Sequence, residues 1–154
     1  MSLNVGDPAP DFILNTESGK PLDLSSLRGK NVVLFFYPKA DTPGCTTEVC
    51  SFRDALPKYP ADAVVIGISP DAEKSQLKFR NKHELPYSLL ADFDHSAADV
   101  YGVWKEKSMY GKTYFGVERT TFIIGKDGNI ACIFNKVKPD GHAQQVLAAL
   151  AEIG

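Results

Sequence analysis

The stretch from Asn31 to Asp54, NVVLFFYPKADTPGCTTEVCSFRD, decides the fold of this chain. Its apolar run from Val32 to Tyr37 is nearly continuous, which is typical of a strand that is buried on both faces of a sheet. A polar loop follows, and helix-forming residues begin around Cys45. The stretch therefore predicts a buried strand over residues 31–37 and a helix from about Pro43 to Leu56.

Working outward, apolar runs and turn residues predict the remaining elements. The predicted strands are Phe12–Leu14, Lys20–Leu24, residues 31–37, Ala63–Ile68, Tyr87–Leu90, Thr120–Ile124 and Asn129–Val137. The predicted helices are a single turn at Leu24–Lys30, then Pro43–Leu56, Ala72–Glu84, Ser96–Tyr101 and Gly141–Ile153. The segment from Lys105 to Phe115 shows no clear period, and we predict a loop there.

The order of these elements indicates the fold class. Strands that alternate with helices in the first half predict a parallel sheet with crossover helices, and the Asp127-Gly128 turn predicts an antiparallel hairpin near the end. A thioredoxin-like α/β sandwich satisfies this order, with an N-terminal β-hairpin extension and an insertion at roughly residues 85–118 before the final β-hairpin. The length of 154 residues is usual for one domain, so we expect residues 1–154 to form a single domain.

The composition excludes several classes of partner. With 17 basic and 19 acidic residues, the formal charge is −2, which argues against a nucleic-acid surface and against a polybasic membrane surface. No apolar run approaches the roughly 20 residues of a membrane span. The first residues lack the basic and apolar regions of a signal peptide, and three cysteines are too few for a disulfide scaffold. We therefore expect a reducing compartment, most simply the cytoplasm.

Cys45 stands where the buried strand gives way to the helix. The first turn of a helix presents unpaired N–H groups and the positive end of the helix dipole, and both favour the reactive thiolate over the thiol. An unremarkable free cysteine is commonly a small buried hydrophobe. The setting of Cys45, at the carboxyl end of a parallel strand where open α/β sheets bind ligands, favours a reactive residue instead.

The spacing between Cys45 and Cys50 limits how the two residues can react with each other. Five residues of intact α-helix separate the two Cα atoms by roughly 8.6 Å, whereas a disulfide needs less than about 7 Å. Either the two cysteines never bridge, or the helix unwinds locally when they do. A thioredoxin-type Cys-x-x-Cys pair is absent from the sequence, and the three scattered histidines do not indicate a metal site.

Three residues of this stretch carry a family resemblance. Pro38, Thr42 and Cys45 stand in the spacing Pro-x-x-x-Thr-x-x-Cys, which resembles the active-site signature of the peroxiredoxins. The fuller text YPKADTPGCTTEVCSFRD resembles the Q subfamily, also called the bacterioferritin comigratory proteins. The likeness extends to GDPAPDF at the start, YGVWKEKSMYGKTYFGVERTTFIIGKDG later and KVKPDGHAQQVL near the end.

The resemblance implies a thiol peroxidase that acts in antioxidant defence. Cys45 would be the peroxidatic nucleophile, which attacks a hydroperoxide and becomes a sulfenic acid. Cys50 would be the resolving cysteine, which forms an intramolecular disulfide with Cys45. The substrates would be hydrogen peroxide and organic hydroperoxides, and the reductant thioredoxin or a similar dithiol protein. The resemblance implies no metal, flavin or haem, and a monomer, with a dimer as the alternative.

The resemblance also assigns roles to three further residues, each of which has an ordinary structural alternative. Thr42 would hydrogen-bond to the thiolate and the peroxide, or it could simply cap the helix. Pro38 would shield the sulfur from water, or it could simply end the strand. Arg119 matches the family's active-site arginine, whose permanent charge favours the thiolate, although an arginine at a strand start is usually a solvated surface charge.

Four other residues have roles that the resemblance does not assign. Glu48 lies between the two cysteines and could position the peroxide, relay a proton, or favour the helix dipole as a first-turn acid. Cys132 lies in the strand ACIFNKV, where alternation places it with Ile130 and Phe134 on one face, and we expect it to serve packing alone. Trp104 and Tyr110 could border the active-site opening or pack in the core.

Two other functions compete with the peroxidase. One is a thiol–disulfide oxidoreductase, against which the missing Cys-x-x-Cys pair argues. The other is a thioredoxin-fold binding or chaperone module whose cysteines are incidental. Peroxide turnover with a thiol reductant separates the three, since only the peroxidase would consume peroxide.

Overall fold

A computed structural model describes residues 3–153 of the chain, apart from the side chain of Met109. The nine strands are β1 (Ile13–Thr16), β2 (Pro21–Asp23), β3 (Asn31–Phe36), β4 (Ala63–Ser69), β5 (Ser88–Ala91), β6 (Trp104–Met109), β7 (Lys112–Val117), β8 (Thr120–Ile124) and β9 (Ile130–Phe134). The four α-helices are α1 (Pro43–Ala55), α2 (Glu73–His83), α3 (Ser96–Val100) and α4 (His142–Ile153), and short 3-10 turns occupy Leu24–Leu27 and Leu56–Lys58. Within residues 3–153, no helix combines the length and the apolar character needed to cross a membrane.

Seven strands form one sheet in the order β2-β1-β5-β4-β3-β8-β9. Strand β4 pairs in parallel with both β3 and β5, while β8 is antiparallel to β3 and to β9. The predicted α/β order, with parallel strands first and an antiparallel hairpin last, is confirmed. The N-terminal hairpin β1–β2 is also confirmed, and it joins the sheet through β5.

The central strand β3 is buried along its whole length because both faces of the sheet are covered. Val33, Phe35 and Tyr37 face one core, which also contains residues of α1, α2 and α4. The alternate residues of β3 face a second core, to which α3 and the first 3-10 turn contribute. The continuous apolar run of the sequence thus reflects two hydrophobic layers that share one strand.

The predicted loop at Lys105–Phe115 is wrong, because this segment is the β6–β7 hairpin. Tyr110 and Gly111 form its two-residue turn with φ angles of 53° and 77°, as a type I′ turn requires. Most side chains of the hairpin are exposed on both faces, so no apolar alternation marks the strands in the sequence. Tyr110 is 97% exposed at the tip, whereas Trp104 stacks on His95 with ring centroids 4.0 Å apart.

The predicted insertion at roughly 85–118 contributes a strand to the main sheet. Strand β5 lies between β4 and β1, on the side of β4 away from β3. Only α3 and the β6–β7 hairpin lie outside the seven-stranded sheet in this range.

A bulge in β9 overturns the predicted side-chain alternation of that strand. Ile123 pairs with Cys132 and Ile124 with Ile130, so Ala131 is an extra residue in the ladder. Ile130 consequently packs in the second core, while Cys132 and Phe134 pack against the first. Cys132 does lie against a core, as expected, but it does not share a face with Ile130.

Gly67 is a point of close approach in the middle of the sheet. A Cβ atom there would lie 2.8 Å from Cζ of Phe35 and 2.9 Å from Cδ2 of Leu89. The Phe35 ring occupies this space and stacks on Phe52 of α1 at 4.6 Å between centroids. Gly67 thus allows the Phe35 side chain to pack between the sheet and α1, the helix that contains both cysteines.

We predict that Gly67→Ala lowers the free energy of unfolding by about 1–3 kcal/mol, since the added methyl group must displace two packed side chains. Gly116→Ala is the matched control, because its Cβ would have no neighbour nearer than 3.6 Å. Denaturant unfolding measures both variants. Equal free energies of unfolding for the two would contradict the assigned packing.

Candidate active site

The sheet brings together two segments that are distant in the sequence. Strand β3 ends at Phe36, which pairs with Thr120 at the start of β8. Because these strands are antiparallel, Arg119 lies at the same end of the sheet as the loop that leads from β3 to α1. Cys45 is the third residue of α1 and is fully buried, so the arginine and the thiol meet at one edge of the sheet.

Arg119 contacts both Cys45 and Glu48. Its Nη2 donates to Sγ of Cys45 at 3.3 Å, and its Nη1 donates to Oε1 of Glu48 at 2.7 Å. Glu48 is fully buried, and only 15% of the Arg119 side chain is exposed. The predicted placement of Arg119 beside the sulfur is therefore observed, and a solvated surface arginine is not. A guanidinium at this distance favours the thiolate form of a cysteine.

The carboxyl group of Glu48 is strongly affected by its surroundings. Burial raises its pKa from 4.5 to about 7, even though Arg119 opposes the shift. Its Oε2 has no hydrogen-bond partner among the described residues, which favours a protonated group at this position. For Arg119, burial disfavours the charge, but Glu48 and Cys45 raise its pKa overall. The expected first-turn acid is wrong, since Glu48 lies in the second turn of α1 and faces the interior.

Thr42 and Pro38 lie on the segment that leads from β3 to α1. Thr42 has the extended backbone of an N-cap residue, but its hydroxyl donates to the carbonyl oxygen of Lys39 at 2.9 Å. The hydroxyl oxygen keeps its lone pairs free to accept a hydrogen bond. Pro38 is half-buried two residues after the end of β3, where the loop that leads to Cys45 begins.

Gly44 is a site residue that the sequence analysis missed. A Cβ atom at this position would lie 3.2 Å from Nη2 of Arg119 and 3.7 Å from Cγ of Pro139. The absence of a side chain at Gly44 therefore lets the guanidinium reach the sulfur. The Pro-Gly pair before Cys45 was the available signal, but only the tertiary contact shows why glycine is needed.

Lys107 is a second residue that the sequence analysis missed. It lies on the β6–β7 hairpin, and its Nζ donates to the carbonyl oxygen of Val117, two residues before Arg119. Burial lowers the pKa of Lys107, and the neighbouring charge of Arg119 lowers it further. The hairpin thus adds a second cation to the site, which no pattern in its exposed strands indicated.

A buried polar network anchors the loop between β3 and α1. Oδ2 of Asp71 accepts from the backbone N–H of Ala40 at 2.7 Å and from the hydroxyl of Ser69 at 2.6 Å. Gln76 donates to Ser69 at 2.8 Å and accepts from the hydroxyl of Tyr37, the residue that follows β3. The network ties the loop that precedes Cys45 to β4 and α2.

The three cysteines, all within the described residues, are free thiols. Helix α1 runs without interruption from Pro43 to Ala55 and contains both Cys45 and Cys50. Cys50 is partly buried at the edge of the first core. This is the arrangement in which helix geometry keeps the two Cα atoms too far apart to bridge.

Comparisons with known proteins agree with this geometry. The model of the AhpC/TSA family matches residues 5–133. The chain is 44% identical to Peroxiredoxin Bcp of Bacillus subtilis, over 99% of this chain and 98% of the relative. It is 41% identical to Peroxiredoxin Bcp of Escherichia coli K12, over 97% of each protein.

Solved structures are similar over most of the chain. A Xylella fastidiosa PrxQ variant has a TM-score of 0.93 and 34% identity, and the match covers 99% of this chain and 98% of that one. A Xanthomonas campestris bacterioferritin comigratory protein, studied for alkyl peroxide reduction, has a TM-score of 0.87, 38% identity and coverage of 92% and 90%. The predicted thioredoxin-like fold is confirmed. These likenesses favour peroxide reduction over the oxidoreductase and binding-module alternatives.

The buried Glu48 predicts a pH-dependent stability. Because its pKa is higher in the folded protein than in the unfolded chain, the stability that it contributes is fully present below about pH 4.5 and is lost as pH rises through about 7. The full effect is on the order of 3 kcal/mol. Relative to the parent protein, Glu48→Gln should therefore gain free energy of unfolding between pH 5 and pH 8.

Denaturant unfolding at these two pH values measures the difference. Glu106→Gln, at an exposed carboxylate on the hairpin, is the matched control, and its curve should run parallel to that of the parent. If Glu48→Gln also ran parallel, the buried carboxyl would not bind a proton near neutral pH.

Proposed function

Because this chain belongs to the AhpC/TSA family and, within it, to the Q-type peroxiredoxins, we propose that its thiol peroxidase reaction takes place at Cys45. The Cys45 thiolate attacks the terminal oxygen of a hydroperoxide. An S–O bond forms and the O–O bond breaks, so that the sulfur becomes a sulfenic acid. The departing oxygen takes a proton and leaves as water or as an alcohol.

The observation that carries this proposal is the contact of Arg119 with both Cys45 and Glu48. The guanidinium lies 3.3 Å from the sulfur and is held at 2.7 Å by a buried carboxyl group. In this position it can stabilise the thiolate and the negative charge that develops on the departing oxygen. Glu48 would orient Arg119 and, with a pKa of about 7, could supply or accept a proton near neutral pH.

Thr42 and Pro38 complete the proposed peroxide site. The Thr42 hydroxyl, whose proton is donated to Lys39, can accept a hydrogen bond from the peroxide O–H through its free lone pairs. Pro38 would limit the access of water to the sulfur. The sequence analysis also expected a hydrogen bond between Thr42 and the thiolate. The role proposed here for Thr42 does not require its hydroxyl to donate to the thiolate.

Cys50 is the proposed resolving residue. Its thiolate would attack the sulfur of the Cys45 sulfenic acid, forming the S–S bond and releasing hydroxide, which becomes water. The continuous helix α1 holds the two residues about 8.6 Å apart at their Cα atoms, so this step needs local unwinding. Opening at a helix end costs little compared with global unfolding.

The remaining features of the proposed cycle follow from the same chemistry. A thiol reductant, which we propose is thioredoxin or a similar dithiol protein, would reduce the disulfide. The proposed substrates are hydrogen peroxide and organic hydroperoxides, and no metal or organic cofactor takes part. We further propose that residues 1–154 form one domain that acts as a monomer in antioxidant defence, in a reducing compartment such as the cytoplasm that keeps its cysteines free.

We expect Cys45→Ser to abolish peroxide consumption, because a serine hydroxyl cannot form the sulfenic acid. Cys132→Ala is the matched control and should keep the activity of the parent, since Cys132 lies at the edge of the first core. A coupled assay with thioredoxin, its reductase and hydrogen peroxide measures both variants. Near-normal turnover by Cys45→Ser would overturn the proposal.

Oxidation should unwind α1 locally around Cys45 and Cys50. We expect peroxide treatment to join Cys45 and Cys50 and to speed amide hydrogen exchange in residues 43–54 by about tenfold or more, because the disulfide cannot form within intact helix geometry. Mass spectrometry identifies the disulfide and measures exchange in the same samples. Exchange across α4 is the internal control and should stay unchanged.

Equal exchange in the two states, with the disulfide confirmed by mass, would show that the bridge forms without unwinding. Cys50→Ser provides a second check. It should react once with peroxide and then accumulate sulfenic acid or its overoxidised products.

A further inference from the structure

The segment Val117–Arg119 leads from the β6–β7 hairpin into β8 of the main sheet, and it carries the arginine of the candidate site. Backbone hydrogen bonds fix two of its residues. The N–H of Glu118 donates to the carbonyl oxygen of Val103 at 2.8 Å, and the carbonyl oxygen of Arg119 accepts from the N–H of Val137 at 2.9 Å. The position of the Arg119 side chain depends on how this segment is held.

A lysine side chain from the other strand of the hairpin holds the first residue of the segment. Nζ of Lys107, on β6, donates to the carbonyl oxygen of Val117. Val117 is 1% exposed, and a buried carbonyl group that loses a partner is costly. Without Nζ, the carbonyl group of Val117 would shift toward water or another donor, and the residues that follow it would shift as well.

Lys107 differs from the other two lysines of the hairpin in being half-buried. Lys105 and Lys112 are exposed, as lysines usually are. The aliphatic part of Lys107 lies over Gly116, where a Cβ atom would be 3.7 Å from Cδ and 3.8 Å from Cε of the lysine. The side chain is therefore held across β7 by packing as well as by its hydrogen bond.

The guanidinium of Arg119 tolerates little displacement. Its Nη1 is held by Glu48 at 2.7 Å, and its Nη2 lies 3.3 Å from Sγ of Cys45. A Cβ atom at Gly44 would lie 3.2 Å from Nη2, so the guanidinium already fits closely against the first turn of α1. A backbone shift at Arg119 would change the distance to the sulfur, because Glu48 continues to hold the other nitrogen.

We propose that Lys107 is a positioning residue for the peroxidase reaction, which holds Val117 so that Arg119 reaches Cys45. This inference rests on the proposed reaction at Cys45, and it gives the exposed hairpin a part in that reaction. Lys107 acts through the backbone and then through Arg119. A direct effect of its charge on the sulfur would not depend on Arg119, and this difference separates the two explanations.

The test measures the first step alone in the reduced, full-length protein. After rapid mixing with hydrogen peroxide, alkylation and mass spectrometry follow the loss of the Cys45 thiol and give a second-order rate constant. We expect Lys107→Met, which keeps the aliphatic chain and removes the donor, to lower this constant about tenfold, since small displacements of a catalytic group are costly. Lys112→Met, the same substitution at an exposed lysine of the hairpin, is the matched control and should react like the parent.

A double-mutant cycle separates positioning from a direct effect of charge. Arg119→Gln should slow the first step by about a hundredfold. Adding Lys107→Met to that variant should then change the rate by less than about twofold, because the lysine has no arginine left to position. A loss of about tenfold in both backgrounds would show that Lys107 acts independently of Arg119, and it would overturn the positioning role.

Nitrogen-15 NMR of the Arg119 side chain gives a readout that needs no second substitution. The chain has four arginines, and the Nε–Hε signal that is missing from Arg119→Gln belongs to Arg119. This signal should move in Lys107→Met and stay in place in Lys112→Met. An unmoved signal in Lys107→Met would contradict the inference.

The remaining outcomes separate this inference from the proposed function. Lys107→Gln carries the test if Lys107→Met loses its native circular dichroism, and if neither variant folds, the lysine serves stability and the inference fails. Equal losses for Lys107→Met and Lys112→Met would also overturn it. If Arg119→Gln slows the first step and Lys107→Met does not, the reaction at Cys45 stands without a role for Lys107. If peroxide does not oxidise Cys45 in the parent, the proposed function fails as well.

Discussion

A largely buried guanidinium with two acceptors organises this site. Arg119 contacts the sulfur of Cys45 and the carboxyl group of Glu48, and both partners are fully buried. A buried cation is costly unless it is paired and hydrogen-bonded. Glu48 pairs with Nη1 of the guanidinium and fixes the orientation of Arg119. Nη2 of Arg119 therefore faces Cys45 at the start of α1. Removal of either acceptor would leave the arginine less well compensated.

The fold around the site serves this interaction. The pairing of Phe36 with Thr120 brings the end of β3 and the start of β8 to one edge of the sheet. Gly67 leaves room for the Phe35 ring, which supports α1 through Phe52. Gly44 then leaves room for the guanidinium at the first turn. Gly67 thus permits close packing between the sheet and α1, and Gly44 permits close approach of Arg119 to the first turn of α1.

The proposed cycle requires helix α1 to be ordered in the reduced protein and to open locally after oxidation. The buried strand and the Phe35–Phe52 stack hold its centre, and Arg53 and Tyr87 hold its second half. The first turn carries Cys45, which is buried in the first core and accepts a hydrogen bond from Arg119. Local opening is easiest where few long-range contacts must break. In the proposed cycle, opening of the first turn must break the contact of Arg119 with Cys45.

The family resemblance added Cys50 and Arg119 as candidate site residues. The sequence by itself determined the α/β order, the helix that carries both cysteines, and Cys45 as a reactive candidate. These features are local or follow a period: a strand buried on both faces is apolar at every position, and a helix start after a Pro-Gly pair has its own signature. The sequence did not predict the β6–β7 hairpin, because exposed strands show no apolar alternation. It did not predict the β9 bulge either, because one extra residue reverses the sheet face on which the following side chains lie.

Only the tertiary structure decided the burial of Glu48, the need for glycine at Gly44, and the places of Asp71 and Lys107. Each of these depends on a contact between segments that are far apart in the chain, such as the bond from Ala40 to Asp71 or the approach of Arg119 to Gly44. Burial and charge pairing arise from how the segments pack in space, and a residue's neighbours in sequence do not specify that packing.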